Sequence, residues 1–169
     1  MAEIVFITGG ARSGKSAFAQ SMAEKLSDNP VYMATARIWD DDFGERIQRH
    51  KNERNQSWQT IEEEKNISKH NLDGRTVMLD CITLWLTNIF HDNNYDIDKS
   101  LTQAKTEWLA FILKDMTLIV VSNEIGMGVH AENAVSRKFC DLQGWINQYI
   151  AAKADSVYFM VSGIAMKIK

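Results

Sequence analysis

The feature that most constrains this chain is a glycine-rich segment near its beginning, which fits the pattern G-x-x-x-x-G-K-[ST] and consists of Gly9, Gly10, Ala11, Arg12, Ser13, Gly14, Lys15 and Ser16. It follows the apolar run Ile4 to Thr8 and precedes a segment of helical period. In such a loop, backbone N–H groups surround phosphate oxygens, Lys15 reaches the outer phosphates and Ser16 ligates Mg²⁺. A structural turn between strand and helix is the alternative, but this order of elements favours binding of a nucleoside triphosphate.

Length and composition exclude several classes of protein. The 169 residues predict one domain, 1–169, and the net charge of −3 provides no basic field for nucleic acid or an anionic membrane. Cys81 and Cys140 indicate free thiols in a reducing compartment. Because no apolar run approaches the length of a membrane span and no leader-like segment is visible at the start, we expect a cytoplasmic protein without stable membrane insertion.

Short apolar runs alternate with segments of helical period, which predicts βα units around a mostly parallel sheet. The predicted strands run from Ile4 to Thr8, Val31 to Ala34, Val77 to Asp80, Leu118 to Ser122 and Val157 to Ser162. Helices are predicted around Phe18, Met22 and Leu26, around Ile97 to Phe111, and around Val135 to Tyr149. The tail from Ile164 to Lys169 is expected to return as an antiparallel edge strand.

A polar, charge-dense insertion at about 36–75 is too long for an ordinary connection in this α/β pattern. Long excursions of this kind are often functional, but the charge pattern is equally typical of a solvated surface helix.

Two carboxylates are candidates for a metal site. Asp80 ends an apolar strand, where P-loop proteins place an acidic group that holds Mg²⁺ directly or through water. Glu124 follows another strand, in the segment Asn123 to Gly128, and structural and substrate-binding roles remain equally open for that loop.

One histidine has unusual neighbours. In a helical reading of the insertion, Arg46, His50 and Arg54 are spaced four residues apart and share one face. Nearby cations disfavour the imidazolium, so they favour a neutral, nucleophilic His50 that attacks phosphorus. A surface histidine without function is the alternative, and it is the interpretation for His70, His91 and His130. The four histidines and two cysteines show no zinc-ligand spacing.

These motifs together resemble a known family. The P-loop, the segment Arg46 to Lys51 with Arg54 and Trp58, the segment Asn123 to Gly128 and the ending Val161 to Ile164 are similar, over essentially the whole chain, to the bifunctional adenosylcobinamide kinase/adenosylcobinamide-phosphate guanylyltransferases of cobalamin biosynthesis.

The resemblance implies a RecA-like P-loop NTPase fold, commonly a homotrimer, and two reactions. ATP or GTP phosphorylates adenosylcobinamide, and a guanylylated histidine then transfers GMP from GTP to adenosylcobinamide phosphate, giving adenosylcobinamide-GDP. The family's nucleophile falls at His50, with Lys15 as the P-loop lysine and Mg²⁺ at Ser16 and Asp80. Its other nucleotide contacts fall on the P-loop and on Ala34, Thr35, Ala36, Lys51, Asn52, Glu53, Arg54, Glu62 and Asp80.

The chain departs from the family pattern at two positions. Arg49 stands where some relatives have a second histidine, and Asp80 is shorter than the Glu found there in others. The main alternative function is a P-loop small-molecule kinase without a covalent nucleotidyl intermediate. A switch GTPase is disfavoured because no Asn-Lys-x-Asp-type segment is present, and a nucleic-acid motor because no basic track is present.

Overall fold

The computed structural model describes residues 1–37 and 57–169, and it has an α/β architecture. One seven-stranded sheet lies at the centre, with the strand order β3-β2-β4-β5-β1-β6-β7. The strands are β1 (Glu3–Gly9), β2 (Val31–Ala34), β3 (Gln59–Glu62), β4 (Thr76–Asp80), β5 (Thr117–Val121), β6 (Ser156–Val161) and β7 (Ile164–Lys167). All neighbouring pairs are parallel except β6 and β7, so the predicted sheet with its antiparallel C-terminal edge is confirmed.

Helices cover both faces of the sheet. They are α1 (Lys15–Leu26), α2 (Ile82–Asp92), α3 (Ile97–Ile112) and α4 (Ala134–Lys153) among the described residues. Side chains from α1 pack with Ile7, Met78 and Ile119 on one face, whereas α2, α3 and α4 build the larger core on the other. The alternation of β-strand side chains explains this division, because Phe6 and Ile7 enter opposite cores.

Helix α1 contacts the sheet through its smallest residues. Phe18 and Met22 are only half-buried and Leu26 is 56 % exposed, whereas Ala19 and Ala23 are fully buried. Small side chains let the helix lie close to the sheet, so the alanines form the contact and the larger residues lie at its flanks. Phe18, for example, packs against Tyr158 of β6, with ring centroids 5.3 Å apart.

Residues 57–75 are not a solvated surface helix. They contain β3 and a short 3₁₀ helix, Ile67–Lys69, and Ile67 and Leu72 are buried in the larger core. Helix α2, which the sequence analysis did not predict, buries Trp85, Leu86 and Ile89 in the same core.

A buried carboxylate organises the turn after β3. Glu63 accepts hydrogen bonds from the backbone N–H groups of Lys65 and Asn66, at 3.1 and 2.8 Å, and forms an ion pair with Lys69. The ring Nε2 of His70 lies 3.3 Å from its second oxygen. Burial opposes the charged form, but these hydrogen bonds outweigh it and lower the pKa of Glu63 to about 2.

We expect Glu63→Gln to lower the free energy of unfolding at neutral pH by about 2 kcal/mol. Because the folded pKa lies below the ordinary value of 4.5, the stabilisation from the carboxylate is fully present above that pH and is lost as the pH falls towards about 2. Urea unfolding at neutral pH and near pH 3 tests this, with the exposed Glu132→Gln as control. If the free energies of unfolding of the wild type and Glu63→Gln differ as much near pH 3 as at neutral pH, the prediction is contradicted.

Candidate nucleotide-binding site

The glycine-rich segment forms a loop between β1 and α1, as predicted. Gly9, Arg12 and Gly14 have φ values of +153°, +56° and +94°, which turn the backbone sharply before α1 begins at Lys15. The free N–H groups of the first helical turn therefore face the loop. Together with the helix dipole they form a site suited to phosphate oxygens.

Two glycines are required by the space around the loop. A Cβ atom at Gly9 would lie 2.5 Å from the carbonyl oxygen of Met160, and one at Gly14 would lie 3.2 Å from the Cα of Gly163. The N–H of Gly163 also donates to the carbonyl of Ser13 at 3.0 Å. The turn between β6 and β7 therefore supports the loop from one side.

Lys15 lies inside the loop and is 7 % exposed. Its ammonium donates to the carbonyl oxygen of Gly10 at 2.5 Å. Burial lowers the pKa of Lys15, while the nearby Asp80 carboxylate acts in the opposite direction. The loop thus holds one partly desolvated cation beside the helix N-terminus.

The strand ends place three further predicted residues in one row. Ala34 at the end of β2 is the register partner of Glu62 on β3 and of Asp80 on β4. All three stand at the carboxyl edge of the sheet, which is also where β1 delivers the P-loop. Strand β5 separates β4 from β1. The Asp80 carboxylate accepts a hydrogen bond of 3.0 Å from the hydroxyl of Tyr32, which fixes its orientation.

Thr35 is fully buried and joins β2 to the start of α2. Its hydroxyl donates to the carbonyl of Cys81 at 2.8 Å and accepts from the N–H of Cys81 at 3.0 Å. The amide of Asn88 donates to the carbonyl of Thr35 at 2.8 Å. These bonds fix the backbone beside Asp80. Burial raises the pKa of the Cys81 thiol to about 12, so the thiol remains neutral.

Glu124 contacts the P-loop through its backbone, because its N–H donates to the carbonyl of Gly9 at 2.9 Å. Its side chain accepts from the N–H of Gly126 at 2.9 Å. A buried network of Ser122, Gln143 and Asn147 supports this loop, with Asn147 donating to the carbonyl of Asn123 at 3.1 Å. The loop after β5 is therefore part of the site's wall.

The segment that carries the predicted nucleophile lies outside the described residues, and so do Arg46, His50, Lys51, Asn52, Glu53 and Arg54. Its flanks are described. On one side, Arg37 pairs with Glu64 at 2.6 Å and with Asp92 at 2.9 Å. The hydrogen bonds from Arg37 and Lys65 hold the pKa of Asp92 well below its usual range. On the other, Trp58 is buried and donates to Glu24 at 3.0 Å.

Two side chains at the carboxyl edge of the sheet carry oxygens of the kind that bind Mg²⁺. Within residues 1–37 and 57–169, no group of three His, Cys, Asp or Glu side chains is placed to hold a metal ion. Magnesium is commonly bound through one or two protein oxygens and the phosphates of a substrate. Ser16 at the start of α1 and Asp80 at the end of β4 offer such oxygens.

Sequence reasoning predicted site residues in the P-loop and at Thr35 and Asp80, but it did not name the residues that position them. Tyr32 orients Asp80, Asn88 fixes Thr35, and Met160 limits the space at Gly9. Each acts across neighbouring strands or from a helix. Their only sequence signal is a polar or bulky residue within an apolar run, which does not reveal its partner.

Taken together, the loop, its lysine, the helix N-terminus and the strand-end carboxylate define a P-loop protein of the nucleotide-binding class. The family model described as "Cobinamide kinase / cobinamide phosphate guanyltransferase" matches residues 5–168, and the chain belongs to that family. The resemblance stated from the motifs is thereby confirmed.

Individual relatives agree with this assignment. The chain is 33 % identical over 181 residues to the bifunctional adenosylcobalamin biosynthesis protein CobU of Escherichia coli, covering 98 % of this chain and 99 % of that one. It is 36 % identical over 169 residues to the bifunctional adenosylcobalamin biosynthesis protein CobP of Pseudomonas aeruginosa, covering 96 % and 95 %. Among solved structures, the flagellar accessory protein FlaH of Methanocaldococcus jannaschii is similar with a TM-score of 0.48 and 13 % identity, covering 99 % and 78 %.

In the described part of the chain, no helix combines the length and the apolar character that crossing a membrane requires.

Replacing Gly9 by alanine should destabilise the fold by about 2 kcal/mol, because the new methyl group would overlap the Met160 carbonyl and force β1 and β6 apart. Gly10→Ala is the matched control, since a Cβ there meets nothing within 4 Å. Thermal and urea unfolding of both variants measure the effect. Equal stability of the two would show that the close approach does not constrain the loop.

Proposed function

We propose that this protein phosphorylates adenosylcobinamide with ATP or GTP and then transfers GMP from GTP to the product, giving adenosylcobinamide-GDP. The observation that carries the proposal is the buried Lys15 inside the P-loop, with Asp80 at the same edge of the sheet, in a chain of the cobinamide kinase/guanyltransferase family. We further propose that the protein is cytoplasmic. We also propose that it is a homotrimer, which light scattering of the purified protein would test.

In the kinase step, the hydroxyl oxygen of the aminopropanol arm forms a bond to the γ-phosphorus, and the bond between this phosphorus and the β-γ bridging oxygen breaks. ADP or GDP leaves, and the hydroxyl proton passes to solvent or a basic group. Lys15 and the N–H groups of α1 stabilise the charge on the transferred phosphoryl group. Ser16 and Asp80 would hold Mg²⁺, which neutralises charge on the phosphates when it is bound.

In the guanylyl step, a ring nitrogen of His50 forms a bond to the α-phosphorus of GTP and pyrophosphate leaves, so that GMP is held as a phosphoramidate. A phosphate oxygen of adenosylcobinamide phosphate then attacks the same phosphorus and releases His50. The support is the spacing of Arg46, His50 and Arg54 in the sequence and the position of the preceding strand β2, whose last residue lies at the carboxyl edge of the sheet.

A labelling experiment distinguishes the proposed function from its main alternative, a small-molecule kinase without a covalent intermediate. GTP labelled at the α-phosphate should tag the protein through an acid-labile, base-stable bond. Absence of label in the presence of Mg²⁺, with kinase activity retained, would leave only the kinase.

His50→Ala should fold normally, keep phosphorylating cobinamide to some extent and lose GMP transfer, because the nucleophile is gone. Intact-protein mass spectrometry after incubation with GTP measures the GMP adduct, before and after adenosylcobinamide phosphate is added. The exposed His130→Ala is the matched control and should still form the adduct. Survival of GMP transfer in His50→Ala would disprove the assignment.

Lys15→Ala should slow phosphoryl transfer by at least about 100-fold, because the γ-phosphate loses both charge stabilisation and positioning. Lys25→Ala, an exposed change in the last turn of the same helix, is the control. Steady-state kinase rates and thermal unfolding of both variants separate a catalytic defect from a folding defect. Wild-type rates in Lys15→Ala would refute its role.

A further inference from the structure

A second concave site lies on the opposite face of the sheet from α1. It is a pocket of about 450 Å³ between the second half of α2, the first turns of α4 and the loop after β5. Its walls are largely apolar and aromatic and include Phe90, Tyr95, Ile125, Val135 and Phe139, with the ring of His91 beside them. An apolar pocket with a few polar groups is the usual form of a small-molecule site.

The aromatic wall is built from rings that contact one another. The ring of Phe90 lies 5.4 Å from that of Tyr95 and 5.8 Å from that of Phe139, measured between centroids. Phe90 is buried in the core, whereas Tyr95 and Val135 are each 43 % exposed. The pocket therefore has a fixed base and an accessible apolar rim.

The pocket adjoins the P-loop through the chain itself. Ile125 in its wall directly follows Glu124, whose N–H is bonded to the carbonyl of Gly9. Thr87, which also lines the pocket, lies about 8 Å along α2 from the first residue of that helix. This first residue, Ile82, follows Asp80 by two positions in the chain. The hydroxyl of Thr83, one turn before Thr87, accepts hydrogen bonds from Asn123 at 3.1 and 3.2 Å and joins the two walls.

This position suits the phosphoryl acceptor better than the nucleotide. Phosphoryl transfer requires the attacking and leaving oxygens to be roughly in line, so the acceptor approaches from the side away from the nucleoside diphosphate. The pocket is on the face that α2, α3 and α4 cover, whereas α1 lies on the other face.

We propose that this pocket binds one apolar edge of the corrin ring of adenosylcobinamide, an inference that rests on the function proposed above. A corrin has methyl groups along its edge and amides around its periphery, which matches aromatic and aliphatic walls with Thr87 and Ser136 among them. Its aminopropanol arm, an extension of about seven bonds or roughly 8 Å, bridges from the ring to the phosphates at the P-loop. The rest of the ring remains outside, because the pocket is smaller than a corrin.

Val135→Asp is the test, because it puts a charge into the pocket rim at a half-exposed position where the fold tolerates it. We expect the KM for adenosylcobinamide to rise at least about ten-fold, with the KM for ATP changed less than two-fold. Leu113→Asp, an exposed change directly after α3 and outside the pocket wall, should leave both constants as in the wild type. Val135→Ile, which keeps the apolar rim, should have the same KM for the corrinoid as the wild type.

The remaining outcomes distinguish a failure of the pocket assignment from a failure of the proposed function. If the wild type phosphorylates adenosylcobinamide but Val135→Asp has an unchanged KM for it, the pocket assignment is wrong and the proposed function stands. A rise in the KM for ATP would assign the pocket to the nucleotide, and a loss of oligomer mass with unchanged KM would assign it to a neighbouring copy; both overturn the inference. A wild type that does not phosphorylate the corrinoid overturns both proposals.

Discussion

The close approach of backbone to backbone around the P-loop is the constraint on which the site depends. Gly9 lies against the carbonyl of Met160, Gly14 lies against Gly163, and Gly9 also accepts the N–H of Glu124. The loop is therefore held between the ends of β5 and β6, its two neighbours in the sheet. Since these contacts involve backbone atoms, they set the loop's shape before any phosphate arrives, which is the condition for binding an anion without a large ordering cost.

Charge is distributed around this loop in two different ways. Inside it, Lys15 is buried and donates to the carbonyl of Gly10, and burial lowers its pKa. Away from it, Arg37, Glu64, Lys65 and Asp92 form a connected group of ion pairs beside the start of segment 38–56. The first arrangement suits binding of a phosphate, and the second ties Arg37, the last described residue before segment 38–56, to α2 and to the residues after β3.

Much of the fold could be predicted from the sequence, but some elements could not. The predicted strands and the helices α3 and α4 appear because their apolar patterns are clear, and α1 appears where the P-loop motif requires a helix. Strand β3 was missed because Gln59–Glu62 is a short edge strand without a buried face pattern. Helix α2 was not predicted, although its buried residues Ile82, Trp85 and Leu86 share one helical face. The periodicity of α1 does not reveal that Ala19 and Ala23 make its contact with the sheet, because close packing there favours alanine over the larger residues.

By itself the sequence determined the class of protein. The glycine-rich loop with its lysine and serine can be recognised after an apolar strand, because all parts of the motif are adjacent in the chain. The family followed from four such segments in order. Only the tertiary structure decided which residues support them, among them Tyr32 on Asp80, Asn88 on Thr35 and Met160 at Gly9. It also placed an apolar pocket next to the loop, built from α2, α4 and the segment after β5. These contacts join residues far apart in the chain, and the sheet order that brings them together is a property of the packed core.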